Sequence, residues 1–142
     1  MTGRRRARTL GCLGATALLL HGPAFAAAPK GDPAQGRALY AQCLACHTLA
    51  ENSVGPKHCG LFGRRAGTVP GFDYSPAMRN SGIVWNAKTL DRFLADPQKA
   101  VPGTAMPFAG IADAAERADL IAYLRDATAP ARCAESGGAP AR

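Results

Sequence analysis

The sequence has 142 residues, which is enough for one small domain and short for two. Its 17 Lys and Arg against 10 Asp and Glu give a formal net charge of +7. Four of those basic residues are arginines among the first eight positions, and without them 13 basic residues face 10 acidic ones. No run of lysines or arginines follows, so the charge pattern gives no support to a nucleic-acid-binding function.

The N-terminus has the three parts of a cleavable export signal. The arginines are followed by the apolar run Leu10 to Leu20 and by the small-residue stretch Ala24 to Ala28. We expect residues 1–26 to be a signal peptide cut after Ala26, since the apolar run is too short for a permanent membrane anchor. Cys12 lies at the start of the apolar run, most of which follows it, and this does not fit a lipoprotein cysteine. The sequence thus predicts export to the periplasm, a domain at 27–130 and a tail at 131–142.

The first predicted helix begins at Asp32-Pro33, an N-cap residue followed by proline at the first helical position. Near its end lies Cys43-Leu44-Ala45-Cys46-His47. The pattern C-x-x-C-H is typical of covalent c-type haem attachment, where two thiols form thioethers and the histidine ligates the iron.

Redox dithiols and zinc sites also contain C-x-x-C. A thioredoxin-like protein would need a βαβ pattern around the motif, and none is predicted. A zinc site would need a second ligand pair, for which His58-Cys59 is poorly spaced. One haem c is therefore the cofactor that the motif favours.

The rest of the chain predicts an all-α fold with long loops. Glycine and proline recur from residue 50 to residue 85 and exclude a long regular element there. Asn86 is expected to cap a short helix ending at Asp96-Pro97, and a loop is predicted from Gln98 to Gly110. Asp113 is expected to begin the last helix, which Pro130 limits. The stretch 134–142 is expected to be disordered.

If His47 ligates the haem iron on one side, a second residue can ligate it on the other side. Met106 lies in a loop rich in proline and glycine between two predicted helices, a position that presents a thioether at little entropic cost. Met78 is the other methionine after the signal and is expected to be a packing residue. Met106 is therefore the expected second ligand of the iron, together with His47. His/Met ligation raises the reduction potential, and it fills both axial positions.

These motifs together resemble the class I c-type cytochromes, of the bacterial type similar to mitochondrial cytochrome c. The resemblance spans about residues 31–128. It rests on the haem motif and on segments that match in order and spacing, namely Val54-Gly55-Pro56, Gly60 to Arg64, Pro70 to Tyr74, Trp85, Pro102 to Ile111 and Asp119 to Leu124. It implies a small all-α fold of three main helices, a short helix and long loops around one covalent haem.

The resemblance also implies roles for single residues. The carbonyl of Pro56 would accept the Nδ1 proton of His47 and so orient the ring. The residues implied to bond or neutralise the inner haem propionate are Arg64, Tyr74 and Trp85. Those implied to flank the methionine are Thr104 and Phe108. The first and last helices are expected to cross where Gly36 and Tyr40 meet Leu120 and Tyr123.

The chain departs from mitochondrial relatives at several positions. Met78 and Phe93 stand where those relatives commonly carry an asparagine and a tyrosine, so we expect a drier and differently tuned pocket. Near the haem edge, Lys99 is retained, but other positions that often hold lysine hold neutral or acidic residues: Gln42, Gln98, Ala105, Ala112 and Asp113. Electrostatic steering toward an acidic partner is expected to weaken with the loss of that charge.

Two cysteines remain beyond the signal and the haem motif. In such a fold the loop after Pro56 packs near the C-terminal end, so we expect Cys59 and Cys133 to form a disulfide, with two free thiols as the alternative. His58 is expected to be a surface histidine.

The function predicted is that of a soluble, periplasmic, monomeric electron carrier, not an enzyme. Its expected partners are redox proteins in transient contact, such as a bc1-type complex, an oxidase, a reductase or a dehydrogenase. Two alternatives stay open. One is a haem enzyme or gas sensor with a labile sixth ligand, and the other is a subunit dedicated to a dehydrogenase or sulfur-oxidising complex.

Overall fold

The computed structural model of the chain describes residues 30–136. Within that range six α-helices and one 3-10 helix are connected by loops, and no strand forms apart from an isolated bridge between Arg65 and Val84. The helices are α1 (Pro33–Tyr40), the 3-10 helix (Ala41–Ala45), α2 (Pro76–Arg79), α3 (Ala87–Ala95), α4 (Pro97–Ala100), α5 (Ala114–Ala127) and α6 (Pro130–Ser136). The predicted all-α fold is confirmed.

Helix α1 begins as its sequence predicts and ends before the cysteine motif. The Asp32 side chain accepts a hydrogen bond from Ala34 N, and Pro33 takes the first helical position. The helix ends at Tyr40, and Cys43 lies on the 3-10 helix that follows. The cysteine motif is therefore presented by a tighter turn than the α-helix predicted to carry it.

The first and last main helices cross at close range, as predicted. A Cβ added to Gly36 would lie 2.6 Å from the carbonyl carbon of Asp119, so only glycine lets the two backbones approach this closely. Tyr40 and Tyr123 meet with ring centroids 5.2 Å apart. The Asp32 amide donates to Asp119 Oδ1 across the same contact. This crossing fixes where the 3-10 helix begins.

The long segment between the 3-10 helix and α3 contains one short helix, as its glycine and proline content predicts. Single backbone hydrogen bonds hold it, including Gly63 N to Trp85 O at 2.8 Å and Ala66 N to Ile83 O at 2.8 Å. Gly67 has a φ of 75° and lies against the backbone of Arg79, where a Cβ would not fit. These hydrogen bonds and close backbone contacts hold the loop in place without a sheet or a long helix.

Helix α3 matches its prediction, but the loop predicted after it begins later. Asn86 and Thr89 form a reciprocal capping box. Asp96 ends α3 and also caps α4, where it accepts from Lys99 N, so residues 97–100 are helical. Loop structure over Gln98 to Ala100 was therefore wrongly expected, because one aspartate serves two helices.

The C-terminal part of the described chain is more ordered than expected. Asp113 caps α5 by accepting from Ala115 N and Glu116 N. Pro130 follows α5 and is also the first residue of α6, which continues to Ser136. Disorder from 134 to 136 was thus wrongly expected, and the rest of that prediction, like the signal peptide and its cleavage site, lies outside the described residues.

None of the described helices has the length and apolar character needed to cross a membrane.

Candidate functional site

Two thiols and an imidazole are brought together by the 3-10 helix. The carbonyl of Cys43 accepts from Cys46 N at 3.1 Å and from His47 N at 2.8 Å, which closes a turn around the motif. Both thiols are half-buried and neither is in a disulfide. Burial, with a smaller effect from Cys46, raises the pKa of the Cys43 thiol to about 11. The thiol thus stays protonated at neutral pH.

The His47 ring is oriented by backbone groups that follow it in the loop. Its Nδ1 lies 2.8 Å from Pro56 O, and since a carbonyl can only accept, Nδ1 carries the proton. A Cβ on Gly55 would lie 2.6 Å from that nitrogen, so the backbone packs directly on the ring. Burial lowers the pKa of His47, and the Pro56 bond partly opposes this. The ring is therefore neutral, with Nε2 free to bind a metal.

Residues 56–60, here called the proximal strap, are tied to the C-terminal end of the fold. Cys59 and Cys133 form a disulfide between the strap and α6. Gly60 N donates to Thr128 O at 2.7 Å, just beyond α5. The orientation of His47 thus depends on a segment that is anchored to the last two helices.

Arg64 also holds the proximal strap. Its guanidinium donates to Cys59 O at 2.6 Å and to Lys57 O at 3.2 Å. Burial lowers its pKa, while nearby Tyr74 opposes the shift. For Tyr74, burial raises the pKa of the phenol, and a backbone hydrogen bond to Val69 and the charge of Arg64 oppose this. Arg64 and Tyr74 therefore share one partly buried environment, and their role beside the propionate stays a prediction.

Trp85, Phe93 and Met78 belong to the hydrophobic core. The rings of Trp85 and Phe93 meet edge to face with centroids 5.2 Å apart. Met78 is 7% exposed and packs in the same cluster. The prediction that Met78 is a packing residue agrees with this position.

Met106 lies on the loop between α4 and α5, and its thioether side chain is half-buried against the core cluster that Cys43 also contacts. Thr104 is buried, and its hydroxyl accepts from Met106 N at 3.4 Å. Phe108 packs on the cluster beyond the methionine. The predicted flanking residues therefore lie in the same loop as Met106, and Phe108 packs on the same core.

The sequence analysis placed Gln98 near the haem edge but did not predict that its side chain holds this loop from α4. Its side-chain amide donates to Thr104 O at 3.0 Å and to Met106 O at 3.2 Å. The only signal in the sequence was its position one residue after a helix-opening Pro97.

His58 is not the surface histidine that was expected. Its ring is half-buried, and its Nδ1 lies 3.0 Å from the hydroxyl oxygen of Tyr40. The rings of His58 and His47 are stacked, with centroids 4.2 Å apart and an angle of 24° between their planes. Burial, with smaller effects from His47 and Arg64, lowers the pKa of His58 to about 3.

The donor set fits a covalently attached haem. Cys43 and Cys46 supply two unpaired thiols on one turn, and His47 supplies a neutral imidazole whose Nδ1 is already bonded. Met106 supplies a soft thioether on a loop that Gln98 fixes. Large aromatic and aliphatic side chains provide the apolar surroundings that a macrocycle needs.

Comparisons with known proteins agree with this chemistry. Residues 33–128 match the family model described as Cytochrome c. The chain is 47% identical over 109 residues to "Cytochrome c" of Ulva intestinalis, covering 74% of this chain and 98% of that protein. It is 46% identical over 103 residues to "Cytochrome c2" of Blastochloris viridis, covering 70% and 81%. The solved structure of cytochrome cH from Methylobacterium extorquens aligns with a TM-score of 0.66 and 44% identity, covering 68% of this chain and 99% of that one.

Proposed function

The chain belongs to the cytochrome c family of electron carriers, and from that premise we propose that it carries single electrons in the periplasm. One haem c would be attached through thioethers to Cys43 and Cys46, with His47 and Met106 as axial ligands. When bound, the haem supplies an iron that changes by one electron between its ferric and ferrous states.

The observation that carries the proposal is the orientation of His47. Its Nδ1 proton is donated to Pro56 O at 2.8 Å, which fixes the tautomer and leaves Nε2 as the ligating atom. The two thiols on the preceding turn are half-buried and unpaired. A hydrogen bond from the second ring nitrogen also raises ligand basicity, which stabilises the ferric state.

Met106 would close the opposite side. The Gln98 amide holds the backbone of the Met106 loop at two carbonyls, so the thioether is presented with little loss of conformational entropy. A thioether favours ferrous iron and raises the reduction potential. With His47 and Met106 both holding the iron, the site would exchange electrons without binding a substrate.

Arg64, Tyr74 and Trp85 would stabilise the inner propionate. Arg64 and Tyr74 influence each other's pKa, which indicates that the guanidinium and the phenol lie in one partly buried region. Because an unpaired buried carboxylate is costly, cationic and hydroxyl donors are the groups expected beside it. The partners would be redox proteins that contact the haem edge transiently, after export directed by residues 1–26.

The axial methionine is tested by comparing Met106→Ala with Met78→Ala in the holoprotein. The weak long-wavelength ferric absorption band that accompanies methionine ligation should be present in the wild type and in Met78→Ala, and absent from Met106→Ala. A band that survives in Met106→Ala, or that disappears in Met78→Ala, would contradict the assignment. The intact mass of the exported protein should equal the chain from residue 27 plus one haem.

A further inference from the structure

His58 contacts the axial ligand from within the same strap that orients it. Pro56 O binds Nδ1 of His47 at 2.8 Å, and two residues later the His58 ring stacks on the His47 ring. A stack with a 4.2 Å centroid distance and a 24° interplanar angle is a close contact between two imidazoles. The strap thus contacts His47 twice, once at Nδ1 and once at a ring face.

The position of the His58 ring is itself fixed. Its Nδ1 is hydrogen-bonded to the Tyr40 hydroxyl, and Tyr40 is only 3% exposed because it packs in the crossing of α1 and α5. The backbone on either side is also held, since His58 N donates to Thr48 O and Cys59 is in the disulfide with Cys133. A ring tied down at its edge and at its backbone can restrict the movement of whatever it stacks on.

The hydrogen bond to Pro56 alone does not fix the plane of the His47 ring. A single hydrogen bond to Nδ1 fixes the direction of that nitrogen but lets the ring tilt about the bond axis. A rigid ring stacked on the imidazole opposes this tilt. It also places a polarisable aromatic group beside a ligand that becomes more positive when the iron is ferric.

We propose that His58 is a positioning residue for the axial ligand, which fixes the plane of the His47 ring by stacking and stabilises the ferric state. The proposal rests on haem ligation by His47, as described under the proposed function. Tyr40 acts through His58, because its hydroxyl holds the stacked ring. In an aliphatic variant the plane of His47 would change and ferrous iron would be favoured.

The test compares four variants of the holoprotein. His58→Leu removes both the stack and the bond to Tyr40, whereas His58→Phe retains a ring without Nδ1. Tyr40→Phe removes only the hydroxyl. Tyr123→Phe is the matched control, since Tyr123 belongs to the same aromatic cluster and contacts Tyr40 rather than His58.

Two readouts report on the ligand and not merely on stability. The paramagnetic shifts of the haem methyl protons in the ferric protein depend on the plane of the axial histidine, and the midpoint potential reports the ferric-to-ferrous ratio. His58→Leu should change the methyl pattern and lower the ferric-to-ferrous ratio about threefold at fixed applied potential, the effect of a weak aromatic contact. His58→Phe, which keeps a ring but loses its anchor, should restore part of the methyl pattern. Tyr40→Phe should shift the pattern in the same direction as His58→Leu but by less, and Tyr123→Phe should leave it unchanged.

Unchanged methyl shifts and potential in His58→Leu would overturn the proposal, as would shifts in Tyr123→Phe equal to those in Tyr40→Phe. If His58→Leu does not mature, Tyr40→Phe decides alone, because wild-type shifts there would show that the anchoring of His58 has no effect on His47. Failure of the proposed function is recognised separately: the wild-type ferric protein would then lack a low-spin, histidine-ligated spectrum.

Discussion

Removal of the Cys59–Cys133 disulfide tests how the proximal strap is anchored. The two cysteines are 74 residues apart in sequence, so the bond closes a loop that covers most of the domain. The entropy of closing a loop of that length corresponds to about 4 kcal/mol of unfolding free energy at 25 °C. The variant Cys59→Ala/Cys133→Ala should lose about that amount.

The loss is measured by guanidinium unfolding of the two holoproteins, followed by far-ultraviolet circular dichroism. A domain of this size has a denaturant slope of about 4 kcal/mol per M, so the midpoint should fall by about 1 M. The single variant Cys59→Ala should fall equally, because either change opens the same loop. Native ferric spectra should stay close to the wild type, since Pro56 still binds His47 and Gly60 still binds Thr128.

A double variant with the wild-type midpoint would refute this account of the strap. So would two alkylatable thiols in the non-reduced holoprotein, because the bond would then be absent. A large change in the ferric spectrum at unchanged stability would indicate that the disulfide orients His47 directly and contributes little to the fold.

Two further substitutions test the two sides of the site. Gly55→Ala would place a Cβ 2.6 Å from Nδ1 of His47. The variant should lose about 1–3 kcal/mol of unfolding free energy and show a perturbed ferric spectrum. Wild-type stability and a wild-type spectrum would contradict the close packing of this loop on His47. Gln98→Ala removes the two side-chain bonds that hold the Met106 loop, each worth about 1 kcal/mol, so added imidazole should bind ferric iron up to about thirtyfold faster. The neighbouring exposed Lys99→Ala is the control, and equal rates in both variants would contradict the role of Gln98.

The sequence predicts those helices whose signals are local. Asp32, Asn86 and Asp113 each cap a helix through a hydrogen bond to a neighbouring backbone amide, so residue type and spacing are sufficient. Proline is ambiguous by the same rules, because Pro130 predicts the end of α5 and equally suits the first position of α6. Short α4 was missed because Asp96 serves α3 and α4 together.

In the site too, features set by neighbouring residues can be predicted from the sequence, and features that depend on distant residues cannot. The haem motif and the Met106 loop are contiguous and can be recognised from spacing. His58 cannot, because its partner Tyr40 is 18 positions away and the stack on His47 depends on how the strap is folded. Gln98 likewise acts across six to eight positions on the carbonyls of a loop that has no regular structure.

With His47 and Met106 both ligating the iron, the proposed site would transfer one electron and leave no open position for a gas. A reductive titration of the wild-type holoprotein, carried out with and without carbon monoxide, tests whether the site is closed. With His47 and Met106 both ligating the iron, the titration should give a single one-electron step, with the same midpoint and the same ferrous spectrum in both gases. A carbon monoxide complex at neutral pH, or a midpoint that rises when the gas is present, would contradict it.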